Sequence, residues 1–241
     1  MAGLSQRRLD ALVSRVAREA DERATDRWLR RRGDARSIEV VLALSDLVPQ
    51  RARVDFVEAG RLARAARQLA DWIDDDYGRA RALRATGHVR ALSGDYHGAV
   101  ACYEGAIDGF ERLGREDDAA ITSSGALLSL MYLGRYRDAD VWAERARRTF
   151  QRTGDRLRLA RLEVNAGNLL FRQDRFEEAL RAYRRAFQVF QRQGQAQDAA
   201  IALRNMAVCH TNLNAFAQAF RTYARARAYG VTHGLALFVA E

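Results

Sequence analysis

The chain has no lysine, one proline, two cysteines and no apolar run of bilayer length. A single proline among 241 residues, beside abundant Ala, Leu, Arg and Glu and 48% hydrophobic content, favours helix throughout. All-β and collagen-like folds are thereby excluded. Two thiols, Cys102 and Cys209, are too few for a disulfide framework, and both read as small buried residues in a reducing compartment. The longest apolar candidate, Val40 to Leu44, falls far short of the roughly 20 residues needed to cross a bilayer. The start, Met1 to Val13, lacks the apolar core of a signal peptide, so a soluble, cytoplasmic chain is expected. Without lysine, all 40 basic residues are arginine, and against 31 acids they give a net charge of +9. That charge is uneven: residues 1–120 hold 21 Arg and 21 acids, residues 121–241 hold 19 and 10. Any electrostatic recruitment should therefore act through the second half.

What the chain has in abundance is self-similarity at a spacing of 40 residues, the signature of a repeat architecture. Ala99, Ala139, Ala179 and Ala219 fall in one column, and Ala106, Ala146, Ala186 and Ala226 in a second. Gly114, Gly154, Gly194 and Gly234 form a third, and Tyr96, Tyr136, Phe176 and Phe216 a fourth, with Phe110, Phe150 and Phe190 ahead of the glycines. Each unit reads as two helices, such as Glu116 to Leu133 and Tyr136 to Gln151, joined by Gly134-Arg135 and closed by Gly154. Small columns are what crossing helices require, because at 8–10 Å separation one position must shrink to admit a bulky neighbour. Tyr103, Tyr183 and Tyr223 are the expected fillers opposite Gly87, Gly167 and Ala207. At the equivalent positions of the remaining unit stand Ala143 and Leu127, a volume-conserving exchange, and each of these pairs is predicted to touch.

These columns resemble the tetratricopeptide repeat in a longer, 40-residue form: a small residue on the first helix, then aromatic, Ala, aromatic and Ala on the second, as in Gly167, Phe176, Ala179, Tyr183 and Ala186. Leu127, Ala143 and the missing closing proline depart from the pattern. The resemblance implies an all-α, right-handed superhelical solenoid of antiparallel helix hairpins. It covers residues 80–234 as four repeats, 80–119, 120–159, 160–199 and 200–234. Residues 37–79 fit as a degenerate first repeat through Phe56, Ala59, Ala63 and Ala66, with Pro49 expected to interrupt its first helix. Residues 1–36, with Leu9, Leu12, Val13, Val16 and Ala17 on one face, are expected to form a capping helix. Residues 235–241 read as the start of a truncated further repeat, whose unpaired apolar surface could drive self-association.

The resemblance further implies that the first helix of each pair lines a concave groove. Its slots hold Arg84 and His88 in the first unit, Tyr132 in the second, Arg161, Asn165, Asn168 and Arg172 in the third, and Arg204, Asn205 and Asn212 in the fourth. Asn165 and Asn205 share one slot, and a carboxamide both donates and accepts, so it can hold an extended backbone. Arginine forks nearby suit carboxylates. A protein or peptide ligand of acidic character is the expected partner, and the competing view is that these side chains simply bond adjacent helices or solvent. Bacterial arrays of this kind are often joined to a caspase-like CHAT protease or a transcriptional regulator, so a regulatory arm is an alternative. Salt-dependent nucleic-acid binding is another, although no reader module accompanies the charge.

No catalytic, metal or cofactor motif emerges. There is no phosphate-cradling glycine loop, Gly-x-Ser-x-Gly elbow or zinc-spaced Cys/His set. Cys209 and His210 are neighbours on a helix and point about 100° apart, which is no nucleophile–base pair. Asp74, Asp75 and Asp76 read as helix-capping carboxylates, not metal ligands.

Overall fold

The computed structural model describes residues 6–19, 22–52 and 54–235. Among them are twelve α-helices and no strand: α1 (Gln6–Arg18), α2 (Glu22–Arg31), α3 (Ile38–Arg51), α4 (Phe56–Trp72), α5 (Asp76–Leu92), α6 (Tyr96–Arg112), α7 (Glu116–Tyr132), α8 (Tyr136–Thr153), α9 (Arg156–Arg172), α10 (Phe176–Arg192), α11 (Ala196–Asn212) and α12 (Phe216–Thr232). The chain turns every twenty residues from Asp74 onward. Gly94, Gly114, Gly134, Gly154, Gly194 and Gly234 have φ between 64° and 82°, while Asp74, Asp174 and Asn214 take φ of 55–57°. After each turn the amide directly following the positive-φ residue reaches back five residues, as in Asp95 N–H to Arg90 O (3.0 Å), Arg175 to Leu170 (3.0 Å) and Ala215 to His210 (2.9 Å). This Schellman closure needs a left-handed residue, for which Asp and Asn are the tolerable substitutes for glycine.

The chain divides into two compact units, Met1–Ser129 and Leu130–Glu241. In the first, α3 pairs with α4 and α5 with α6, and α1 packs on α3 and α4. Leu12, Val13, Val16, Leu44, Leu62 and Leu69 share its buried cluster. The segment expected as one capping helix folds as two, α1 and α2, followed by a short 3-10 turn, Gly33–Ala35. Pro49 does not interrupt α3: it sits in the last turn, two residues before the helix ends, where the amide it lacks removes one bond and the chain stops anyway. In the second unit α8 packs on α9, α9 on α10, α10 on α11 and α11 on α12. The further repeat expected to start at 235–241 lies, from residue 236 on, outside the described residues.

The small columns behave as crossing points. Ala99, Ala139, Ala179, Ala106, Ala146 and Ala186 are wholly inaccessible. A Cβ placed on Gly87 would meet the Tyr103 ring at 2.8 Å, and one on Gly167 the Tyr183 ring at 2.6 Å. Both tyrosines are 2% exposed. Leu127 and Ala143 are each buried within their own units. Ala207 is buried as well, but Tyr223 is 42% exposed.

Candidate peptide-binding face

In the second unit, Arg161, Asn165, Asn168 and Arg172 recur at helical spacing and share one face of α9. On α11 the matching stripe is Ile201, Asn205, Val208 and Asn212, with Arg204 beside it. Two contacts show that the stripes adjoin: Arg161 pairs with Asp198 of α11 at 2.9 Å, and the Asn205 Nδ2 donates to Asn168 Oδ1 at 3.5 Å. Asn168 Oδ1 also accepts the Tyr183 hydroxyl at 2.8 Å, which fixes the ring that fills the space over Gly167. The Arg172 guanidinium lies over the Tyr132 ring, 5.5 Å from its centroid, extending the face to the end of α7.

Several expected ligand contacts are thus already spent within the fold. Asn168 is a hydrogen-bond bridge between helices, Asn212 donates to Val208 O at 2.9 Å, and Arg161 has a carboxylate. Asn165 is half-buried. Arg204 is exposed and makes no hydrogen bond or ion pair among the described residues. The Asn205 amide, held by one bond at the long limit, keeps its oxygen and a second N–H for other partners among those residues. Arg84 and His88 belong to the first unit.

In that unit Arg84 donates to Asp118 Oδ1 at 3.2 Å and stacks over Phe110, with 5.4 Å to the centroid. Burial, followed by the like charge of Arg81, holds its guanidinium below the ordinary value. Arg81, 8% exposed, bonds Asp46 and donates to the Tyr77 hydroxyl at 3.1 Å. Tyr77 in turn donates to Asp118 at 3.1 Å, and Arg115 reaches the same carboxylate at 3.4 Å. His88 is half-buried on the same helix. Tyr77 escaped sequence reasoning because it stands in no repeating column, and Asp118 because in its column of Gly78, Asp118, Arg158 and Asp198 the type recurs only once.

A third residue missed from sequence is Glu163, 9% exposed and held between Arg147 of α8 (3.2 Å) and Arg185 of α10 (2.5 Å). The signal was present: at 40-residue spacing this position otherwise carries Leu83, Ser123 and Leu203.

The bland readings of the other polar groups agree with the geometry. The Asp75 carboxylate accepts Gly78 N–H at 2.6 Å as the N-cap of α5, and Arg79 bonds Asp74 and Asp76. Among the described residues no group of His, Cys, Asp and Glu could hold a metal ion, and no helix is long and apolar enough to cross a membrane. Cys209 is fully buried and burial pushes its thiol up to about 11, and burial raises Cys102 too. His210 is held below its usual value by burial and then by Arg184. Since a raised thiol stays protonated in mildly alkaline buffer, Ellman's reagent should label neither cysteine in the folded chain and both in urea. Prompt native labelling would contradict this burial.

Tandem antiparallel helix hairpins crossing at Ala and Gly define an all-α helical-repeat protein. A tetratricopeptide repeat family model matches residues 117–192 and 158–229, a little under half of the chain, and the helix hairpins in that span are of the tetratricopeptide type. No curated protein matches it. Among solved structures, BtubC (BKLC) from P. vanneervenii is similar with a TM-score of 0.71 at 21% identity, covering 94% of this chain and 92% of its own. Aspartyl phosphate phosphatase F from Bacillus subtilis gives 0.69 at 15%, with 84% of this chain and 52% of the phosphatase covered. The TPR-like repeats of a kinesin light chain from Podosopora anserina give 0.63 at 9%, with 82% and 97% covered. At these identities the likeness is one of fold.

Proposed function

We propose that the α9–α11 face captures an extended, acidic segment of another protein and performs no chemistry itself. Tetratricopeptide repeats are generally non-catalytic protein-interaction scaffolds, which supports this reading. The observation that carries the reading is Arg204: exposed, unmet by any described carboxylate, and adjacent to Asn205, whose amide retains bonding capacity. Arg161 and Arg172 flank it, and Asp198 is the one acid of α11. A guanidinium would take a carboxylate bidentately while the carboxamides of Asn165 and Asn205 hold the peptide backbone.

Fluorescein-labelled Glu/Ala peptides and their Gln/Ala counterparts, titrated by anisotropy, test this. The acidic peptides should bind preferentially, and Arg204→Glu or Asn165→Ala with Asn205→Ala should weaken them by about ten-fold or more, equivalent to about 1.4 kcal/mol. Far-ultraviolet circular dichroism should be unchanged, since the Asn205 bond is long. Equal affinity for both peptide types, or for the variants, defeats the proposal. The same charge distribution supports a second reading, phosphate binding, which would appear as retention on heparin that falls steeply with salt and ignores the asparagine changes.

A further inference from the structure

A cavity of about 290 Å³ opens within the second unit among α8, α9 and α10, which contribute Gln151, Leu159 and Val189 to it in turn. Its origin is a mismatch of size within the repeat. In the first repeat the column of Val189 holds Gly109, where a Cβ would meet Ala80 at 3.0 Å, so the two helices close on each other. In the fourth repeat the column holds Tyr229, whose ring packs edge-on against Phe187 at 6.2 Å. Val189 lines the cavity with Ala160, the counterpart of Ala80. It is too bulky for the close approach and too small to stand in for a ring, and Ala186 beside it adds no bulk, so the space stays open.

The walls are apolar and the polar lining is mostly cationic. Glu163, 9% exposed, lines the cavity with both oxygens in use: Arg147 donates to Oε1 at 3.2 Å, and Arg185 to Oε2 through Nε at 3.2 Å and Nη2 at 2.5 Å. Arg185 therefore keeps Nη1 without a partner among the described residues. Arg156 lines the same cavity, exposed, its guanidinium in no hydrogen bond or ion pair among those residues. The acid next to it, Asp155, is committed elsewhere, accepting the Arg158 amide and the Arg158 side chain at 2.9 Å each.

We propose that this cavity binds a small amphipathic carboxylate, with its hydrocarbon body against Leu159, Ala160 and Val189 and its charge on Arg156 and the Nη1 edge of Arg185. A cation would find the Glu163 carboxylate already bonded. A phosphate or sulfate would exchange its hydration for apolar walls that offer no donor. At the roughly 30 Å³ that a water takes in the liquid, the space holds about ten non-hydrogen atoms, the size of octanoate. Arg156, Leu159, Ala160 and Glu163 recur at helical spacing on a different face of α9 from Arg161, Asn165, Asn168 and Arg172, so the site goes beyond peptide capture and does not depend on it.

Calorimetric titration of the full chain with octanoate, octanol and octylamine tests the proposal. Octanoate should bind about ten-fold or more tighter than octanol, and octylamine no tighter than octanol. Arg156→Ala, a change at an exposed and unpaired side chain, should weaken octanoate about ten-fold and leave octanol and helicity unchanged. Val189→Phe places a ring where the fourth repeat has Tyr229, and it should abolish the binding of both without lowering the melting temperature. Arg204→Glu, on the peptide-binding face, should alter neither. The proposal is overturned if octanol or octylamine matches octanoate, if octanoate binding survives Arg156→Ala or Val189→Phe undiminished, or if no probe binds, which would make the cavity a packing gap only.

Discussion

Gly167→Leu is expected to destabilise the second unit by about 3 kcal/mol, and Tyr183→Ala by about 3–5 kcal/mol, yet the two together by much less than their sum. The reason is geometric. A Cβ at residue 167 would lie 2.6 Å from Tyr183 Cε1, closer than side-chain carbons approach, and the ring is pinned by its bond to Asn168 at 2.8 Å and by burial to 2%. Removing the ring leaves a cavity that only added bulk at 167 can fill. The chain already carries that exchanged pair, with Leu127 and Ala143 standing in the same two columns. Urea unfolding followed by circular dichroism should give a coupling of at least about 2 kcal/mol across the double-mutant cycle. Gly125→Ala is the control: nothing lies within 4 Å of its Cβ, so the gain in helix propensity should stabilise by about 0.5–1 kcal/mol. Additive effects of Gly167→Leu and Tyr183→Ala would mean the contact does not govern the crossing.

This pairing was legible in the sequence because packing between repeats is periodic, and anything periodic leaves a column. The Ala columns, Phe110, Phe150 and Phe190, and the Gly–Tyr contacts all follow from residue size recurring at fixed spacing. The turns were half legible: Gly114, Gly154, Gly194 and Gly234 stood out, but Asp174 and Asn214 hide in a column with Gly94 and Gly134, since several residue types can take one backbone conformation. Pro49 misled because a proline's cost depends on where the helix ends, which composition does not reveal. The face itself was placed by the resemblance, whereas its bonding was not. Whether Arg161 meets a ligand or Asp198, and whether Asn168 reads a peptide or holds Tyr183, depends on side-chain geometry between helices 37 and 15 residues apart. Glu163 was a break in a column, and such breaks mark where one repeat is chemically unlike its neighbours.

Asp118→Ala is expected to cost the first unit about 2–4 kcal/mol, well beyond what its surface ion pairs contribute. Asp118 is the carboxylate on which Tyr77, Arg84 and Arg115 converge, and its side chain is 13% exposed, that of Arg84 21%. Arg81 lies close enough to Arg84 to disfavour its charge, and burial disfavours it more. Without Asp118, two partly buried guanidiniums would share Asp46, whose own side chain is 63% exposed. The penalty should therefore come from a charge left unmet, not from the lost pair as such. Removing the charge together with its partner separates these causes: Asp118→Ala with Arg84→Met should be more stable than Asp118→Ala alone, because an apolar chain of similar length over Phe110 needs no counter-charge. Asp138→Ala provides the reference. Its ion pair with Arg135 is 2.6 Å long but 47% and 40% exposed, so its loss should move stability by no more than about 0.5 kcal/mol. Urea unfolding of the four chains ranks them. If Asp118→Ala matches Asp138→Ala, or if adding Arg84→Met deepens the loss, the buried arginines do not depend on Asp118 for their charge.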